Sequence, residues 1–261
     1  MSGSLRGKVA VVTGGNQGLG RAVALALASA GAAVAIAART AESLEGVGRE
    51  LDATGTEWLA TRCDVSDAGA VQELGTAVLE RFGSVDVVVA NAGIAGPTKP
   101  IQDITVEEWR DCLAIDLDGV FYTFRRFVPS MIAHGNGTLI AVSSMTGKRP
   151  LEGRTPYAAA KMGILGLVRT LAAELGPRGI RVNSVCPGPI KGPRFDAVVH
   201  AQARARGVTA TEALDRFVDA TPLRRIPGED EVAAACLFLA SDQSSAITGE
   251  DLNVSAGLVM Y

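Results

Sequence analysis

The chain has 261 residues, 48% of them hydrophobic and 20% charged, with a formal net charge of −3. This is ordinary globular composition, and it supplies no overall basic field to draw the protein to nucleic acid or an anionic membrane. No apolar run reaches the roughly 18 residues of a membrane span, and residues 1–8 lack the apolar stretch of a signal peptide, so a cytoplasmic protein without nucleic-acid or membrane partners is expected.

Short β-rich runs alternate with helical patterns along the whole chain. Strands are predicted at residues 8–13, 33–38, 58–62, 85–90, 138–143, 181–185 and 251–254, and most are nearly continuous apolar runs, as in parallel strands covered on both faces. Helices are predicted between them at 19–30, 41–53, 67–82, 106–134, 157–175 and 230–240. The alternation implies right-handed crossovers and an α/β fold: a single Rossmann-type doubly wound sheet of about seven parallel strands, with helices on both faces. Nothing divides the chain, so residues 1–261 are expected to form one dinucleotide-binding and catalytic domain. The stretch 189–227, with several prolines and two short helix patterns at 195–206 and 211–220, breaks the rhythm and is expected to be a substrate loop.

The first strand runs into Thr13-Gly14-Gly15-Asn16-Gln17-Gly18-Leu19-Gly20, followed at once by an apolar helix. Glycines in such a turn let the backbone approach a pyrophosphate, whose charge a helix N-terminus stabilises. No Lys-Ser/Thr follows, which argues against a nucleotide-triphosphate P-loop. At the end of the second strand, a carboxylate would accept from the ribose hydroxyl of NAD. The sequence there reads Ala38-Arg39-Thr40, so NADP(H) is favoured, with NAD(H) as the alternative.

Strand five ends in Val142-Ser143-Ser144, and the following helix opens with Tyr157-Ala158-Ala159-Ala160-Lys161. The i, i+4 spacing sets Tyr157 and Lys161 on one helical face, and an ammonium beside a phenol favours the phenolate. Cys63, Cys112, Cys186 and Cys236 are scattered without a Cys-x-x-Cys pair, and only His134 and His200 are present. No metal site is expected. A Ser-His-Asp hydrolase is disfavoured as well, because no Gly-x-Ser-x-Gly elbow occurs.

In this order, the Thr-Gly-x-x-x-Gly-x-Gly turn, Asp64-Val65, Asn91-Ala92-Gly93, Ser144, Tyr157-x-x-x-Lys161 and Pro187-Gly188 resemble the short-chain dehydrogenase/reductase family, from about residue 8 to residue 254. The resemblance implies an oxidoreductase that moves a hydride between a nicotinamide cofactor and a small alcohol or carbonyl substrate. Tyr157 would be the acid/base, Lys161 its partner and a ribose ligand, and Ser144 a hydrogen-bond donor to the substrate oxygen. Asp116 would stand where the family usually has Asn, in a relay to solvent. The implied cofactor contacts are Gly14, Asn16, Gln17, Gly18, Leu19, Arg39, Asp64, Val65, Asn91, Ala92, Gly93, Tyr157, Lys161, Pro187, Gly188 and Ile190. The family's assembly implies a homotetramer, with the apolar end Leu258-Val259-Met260-Tyr261 in a subunit contact. Two alternatives stay open: a catalytically inactive dinucleotide-binding sensor or scaffold, and a sugar-nucleotide epimerase or dehydratase sharing Tyr-x-x-x-Lys. Lys148, Arg149, Arg154, Lys191 and Arg194 flank the expected cleft, which suggests an anionic substrate.

Overall fold

The computed structural model describes residues 4–261, and the side chains at 194, 201 and 205 lie outside that description. Seven strands form one parallel sheet: β1 (Val9–Thr13), β2 (Ala33–Ala38), β3 (Trp58–Arg62), β4 (Val87–Ala90), β5 (Gly137–Val142), β6 (Ile180–Pro187) and β7 (Asp251–Val254). Their spatial order is β3-β2-β1-β4-β5-β6-β7, so the chain reverses its direction of travel across the sheet between β1 and β4. A doubly wound sheet opens its binding crevice at that switch point, beyond the carboxyl ends of the strands. In register, Ala10, Val11 and Val12 of β1 face Val87, Val88 and Val89 of β4 on one side and Val34, Ala35 and Ile36 of β2 on the other.

Alternation along each strand divides the core in two. Ala10, Val12, Val34 and Ile36 point into a layer with α1 (Gly18–Ser29), α2 (Ala41–Asp52) and α9 (Glu229–Ala240). Val9, Val11, Ala35, Val88 and Leu139 point into the opposite layer, with α3 (Ala68–Phe82), α5 (Gly119–His134) and α6 (Thr155–Leu175). Both faces are therefore dry, which is why the inner strands read as unbroken apolar runs. The stretch 189–227 folds as α7 (Pro193–Arg206) and α8 (Ala210–Asp219), around a small core of its own that includes Phe195, Val199, Ala213 and Ile226. Thr209 and Glu212 start α8 with reciprocal caps.

One expected element differs. The helix predicted at 106–134 is α4 (Val106–Leu113) and α5 separated by a π-helical turn, Ala114–Asp118. Such a turn inserts an extra residue, widens the helix locally and re-aims its side chains. Here it turns Asp116 fully into the interior. All four cysteines are free and buried. Among the described residues, no helix is long and apolar enough to cross a membrane, and no group of three or more His, Cys, Asp or Glu is placed to hold a metal ion.

Candidate active site

A cleft of about 940 Å³ opens at the carboxyl ends of the strands, at the switch point. Every cofactor contact implied by the sequence resemblance lines it, and so do Ser144, Tyr157 and Lys161. Asp116 does not line it and sits behind the wall.

The turn after β1 is stitched to β4. The Thr13 hydroxyl accepts from the backbone N–H of Asn91 at 3.1 Å and of Ala92 at 3.2 Å. The Asn91 amide donates back to the carbonyls of Thr13 at 3.0 Å and Gly14 at 3.2 Å. This clasp explains the strictness at Gly20, where a Cβ would stand 2.0 Å from the Gly14 carbonyl oxygen. Gly14 and Gly18 have φ of +65° and +55°, a region that side chains with a Cβ rarely adopt. No side chain caps the first N–H groups of α1, whose N-cap is Gln17. Uncapped amides and the helix dipole favour an anion at that point, so the cradle fits the pyrophosphate of a dinucleotide.

At the β2 end of the cleft, Arg39 is exposed, and Thr40, the N-cap of α2, makes no side-chain cap. Asn16 donates to the Ser43 hydroxyl at 3.0 Å, holding the glycine turn against α2. Burial works to raise the Asp64 carboxyl, but the hydrogen bonds from Ser66 and the nearby Arg39 charge outweigh it, so the group lies below its ordinary value. Beside it, burial pushes the Cys63 thiol up to about 11, which keeps it protonated.

At the chemical end, α6 carries Tyr157 and Lys161 on one face. The Lys161 ammonium is 5.6 Å from the centre of the Tyr157 ring. It is buried, donates to the Val142 carbonyl at 3.1 Å and stands 3.9 Å from Asp116 Oδ2. The other oxygen of Asp116 accepts from the Ile94 N–H at 2.7 Å. The π-turn thus brings a carboxylate behind the lysine and ties it to the loop that follows β4. Ser144 Oγ accepts from the Thr146 N–H at 3.1 Å, and its own hydrogen engages no described residue. The neighbouring Ser143 hydroxyl is taken up by the Lys161 carbonyl at 2.8 Å, in keeping with opposite directions for successive strand side chains.

The sequence sets Arg154 beside the cleft but not its contact with Tyr157, and it does not point to Glu229 at all. Arg154 lies over the Tyr157 ring, 4.7 Å from its centre, and donates to the Ala95 carbonyl at 2.6 Å. Glu229 opens α9, where an acid is ordinary helix chemistry. Its carboxylate nevertheless reaches the cleft, 3.5 Å from where a Cβ on Gly18 would stand and 3.4 Å from the same point on Gly192. Only the packing of α1 on α9 makes them neighbours.

The expected ring of five cations is partly dismantled. Lys148 turns away from the cleft into the sheet edge, where it donates to the Asn253 side chain at 3.2 Å and pairs with Asp251 at 3.8 Å. Its charge is buried and compensated there. Arg154 and Lys191 line the cleft, Arg149 lines a neighbouring cavity, and the Arg194 side chain lies outside the described residues.

This arrangement of switch-point cleft, glycine cradle and Tyr-Lys-Ser end is that of a Rossmann-type oxidoreductase. The sequence profile of a family described as enoyl-(acyl carrier protein) reductase matches residues 14–259. The 3-oxoacyl-acyl-carrier-protein reductase of Staphylococcus epidermidis is 35% identical over 254 residues, covering 97% of this chain and 99% of its own. Among solved structures, an actinorhodin polyketide ketoreductase with NADPH superposes with a TM-score of 0.93 at 33% identity, covering 100% of both chains. An NAD+-bound xylitol dehydrogenase superposes with a TM-score of 0.93 at 30% identity, covering 97% of this chain and 99% of that one. The chain belongs to the short-chain dehydrogenase/reductase family. It is an oxidoreductase acting on carbonyl or alcohol groups.

Proposed function

We propose that the protein is an NADP(H)-preferring reductase or dehydrogenase of a small carbonyl or alcohol substrate, with Tyr157 as its acid/base. The observation that carries this reading is the convergence of Tyr157, Lys161 and Ser144 on one wall of the cleft whose other end is the glycine cradle. In the reducing direction, a carbonyl, one reduced dinucleotide and one proton give an alcohol and the oxidised dinucleotide. A dinucleotide held by the glycine cradle and the cleft residues would supply the hydride, or accept it in oxidation. The Tyr157 hydroxyl gives its proton to the carbonyl oxygen as that oxygen gains charge, and takes it back in oxidation. The Lys161 ammonium steadies the phenolate left behind. The uncommitted Ser144 hydroxyl donates to the same substrate oxygen. Asp116 holds Lys161 in place from behind.

The preference for NADP(H) rests on Arg39 beside the uncapped start of α2, with no carboxylate at the end of β2. The NADPH of the ketoreductase neighbour agrees with it, and the NAD+ of the xylitol dehydrogenase keeps NAD(H) as the alternative. No observation favours a catalytically inactive sensor. The stretch 189–227 borders the cleft at Ile190, Phe195, Val198 and Phe217 and acts as the substrate loop. The assembly is a homotetramer: Phe121 and Ile132 on α5, Met162 on α6, and Met260 with Tyr261 leave apolar surface for partner subunits. A monomer at micromolar concentration in light scattering refutes that assignment.

Tyr157→Phe keeps the ring and its packing but removes the transferable proton. Turnover should fall below about a hundredth of wild type, while calorimetric binding of NADPH stays within about twofold. A Phe variant that remains fully active overturns the role of Tyr157.

A further inference from the structure

Beside the catalytic end of the cleft lies a second cavity of about 320 Å³. Three guanidinium-bearing residues from three separate segments line it. Arg149 follows the turn after β5, Arg206 ends α7, and Arg216 is in the last turn of α8. No Asp or Glu among the described residues lines this cavity. Among the described residues, none of the three guanidinium groups makes an ion pair or a side-chain hydrogen bond, although nine ion pairs occur elsewhere. Of the nearby carboxylates, Glu212 caps Thr209 and also feels the Arg216 charge, which helps hold it below its ordinary value, Asp219 pairs with Arg224 at 2.6 Å, and Glu152 lines the main cleft.

Arg206 and Arg216 each complement a helix C-terminus, and that alone accounts for one cation per helix. It does not account for Arg149, nor for three exposed arginines from three segments lining one concavity. Leu151, Phe217 and Leu258 add apolar wall, and Thr146 and Gln202 add polar groups. Met145, Thr146, Leu151, Gln202 and Phe217 line both spaces, so the second cavity continues the substrate end of the cleft. Guanidinium groups suit carboxylate and phosphate oxygens because their planar fork donates two parallel hydrogen bonds.

We propose that this cavity is an oxyanion subsite, and that the substrate carries a terminal carboxylate or phosphate at the far end of an apolar segment from its reacting carbonyl. The inference rests on the reductase reading for the reacting end and adds the chemistry of the other. Arg149, Arg206 and Arg216 hold the charged end, Phe217 and Leu151 cover the chain between, and Ser144 and Tyr157 meet the carbonyl.

The test uses matched probes in a series of chain lengths: methyl esters of ω-1 oxo acids, the free oxo acids, and the corresponding oxoalkyl phosphates. With NADPH, kcat/KM for an anionic probe of fitting length should exceed that of its neutral partner by about tenfold, the effect of roughly 1.4 kcal/mol. Arg149→Met, Arg206→Met and Arg216→Met should each lower that ratio several-fold, through KM rather than kcat, and raised salt should lower it as well. Whether the carboxylate or the phosphate series gives the larger ratio identifies the headgroup. A ratio near one at every length, or a ratio untouched in all three variants, overturns the subsite while leaving the reductase reading intact. Calorimetric binding of the same oxo acids to the Tyr157→Phe enzyme provides a readout without turnover. If no carbonyl probe is reduced yet this binding still depends on the arginines, the subsite stands and the reductase reading falls. The single variants carry the test even if a triple variant does not fold, as each removes one surface charge and keeps the alkyl bulk.

Discussion

Replacing Asp116 separates its two tasks. The side chain is wholly buried, accepts from the Ile94 N–H at 2.7 Å and faces the Lys161 ammonium at 3.9 Å. Asp116→Ala abandons both partners. An orphaned buried N–H costs about 1–3 kcal/mol, and a buried cation losing its counter-ion costs about 3–5 kcal/mol before relaxation. Lys161 keeps the Val142 carbonyl at 3.1 Å, which offsets part of the second loss. A net loss of about 3 kcal/mol corresponds to a fall in Tm of roughly 6–12 °C, at the 2–4 °C per kcal/mol typical of chains near this length. Asp116→Asn keeps an oxygen for Ile94 and removes the carboxylate's own burial penalty together with its attraction for Lys161. At an effective dielectric of about 20 that attraction is about 4 kcal/mol, comparable with the penalty it offsets, so the Asn variant should melt within about 4 °C of wild type. Thermal melts by circular dichroism at one protein concentration, at pH 7 and without cofactor, measure both. If Ala and Asn fall by the same amount, the Ile94 bond is not what the side chain supplies. If Ala falls by less than about 2 °C, the buried pair contributes little and the reasoning fails.

Two further substitutions test the nucleotide end. Arg39→Asp places a negative charge where a 2′-phosphate would sit, so the ratio of kcat/KM for NADPH over NADH should drop by at least about tenfold; an unchanged ratio shows that Arg39 does not read the phosphate. Glu229→Gln removes a carboxylate from the mouth of the α1 cradle, where at about 5 Å and a dielectric of about 40 it opposes each unit of phosphate charge by roughly 1.7 kcal/mol. Calorimetric titration should give dinucleotide binding at least about tenfold tighter in the Gln variant, and equal or weaker binding refutes the idea that Glu229 opposes the cofactor.

The parts of this protein that are legible in its sequence are those set by local rules. Unbroken apolar runs such as Val9–Thr13 and Gly137–Val142 mark buried parallel strands, and Gly14, Gly18 and Gly20 mark a turn that a Cβ would block. Tyr157 and Lys161 share a face because helix periodicity puts them there. What the sequence conceals is set at a distance. Ala114-Ile115-Asp116-Leu117-Asp118 contains neither Gly nor Pro, so nothing local announces a π-turn; its partners, Ile94 and Lys161, lie 22 and 45 positions away. Lys148 reads as a loop charge beside the cleft until β7 arrives with Asp251 and Asn253 to receive it. Glu229 reads as a helix-start acid, and only the crossing of α9 over the start of α1 carries it to the cradle. Arg149, Arg206 and Arg216 are likewise spread over three segments that meet only in the folded chain.

The buried pair of Lys148 and Asp251 also bears on how the molecule is made. Lys148 belongs to the segment that follows Ser144, but its counter-ion is the first residue of the last strand, 103 positions later. During synthesis the inner strands β1, β2, β4 and β5 can pair early, since domains condense as their sequence emerges. The segment beyond Ser144 then carries an ammonium that has no place in a dry interior, and it stays outward in water until Asp251 is translated and β7 docks on β6. The Gly188 N–H likewise waits for the Val254 carbonyl, 3.0 Å away in the finished protein. A chain halted before residue 251 would therefore carry its glycine turn and its Tyr157 helix, yet lack the strand that receives Lys148 and the Gly188 N–H.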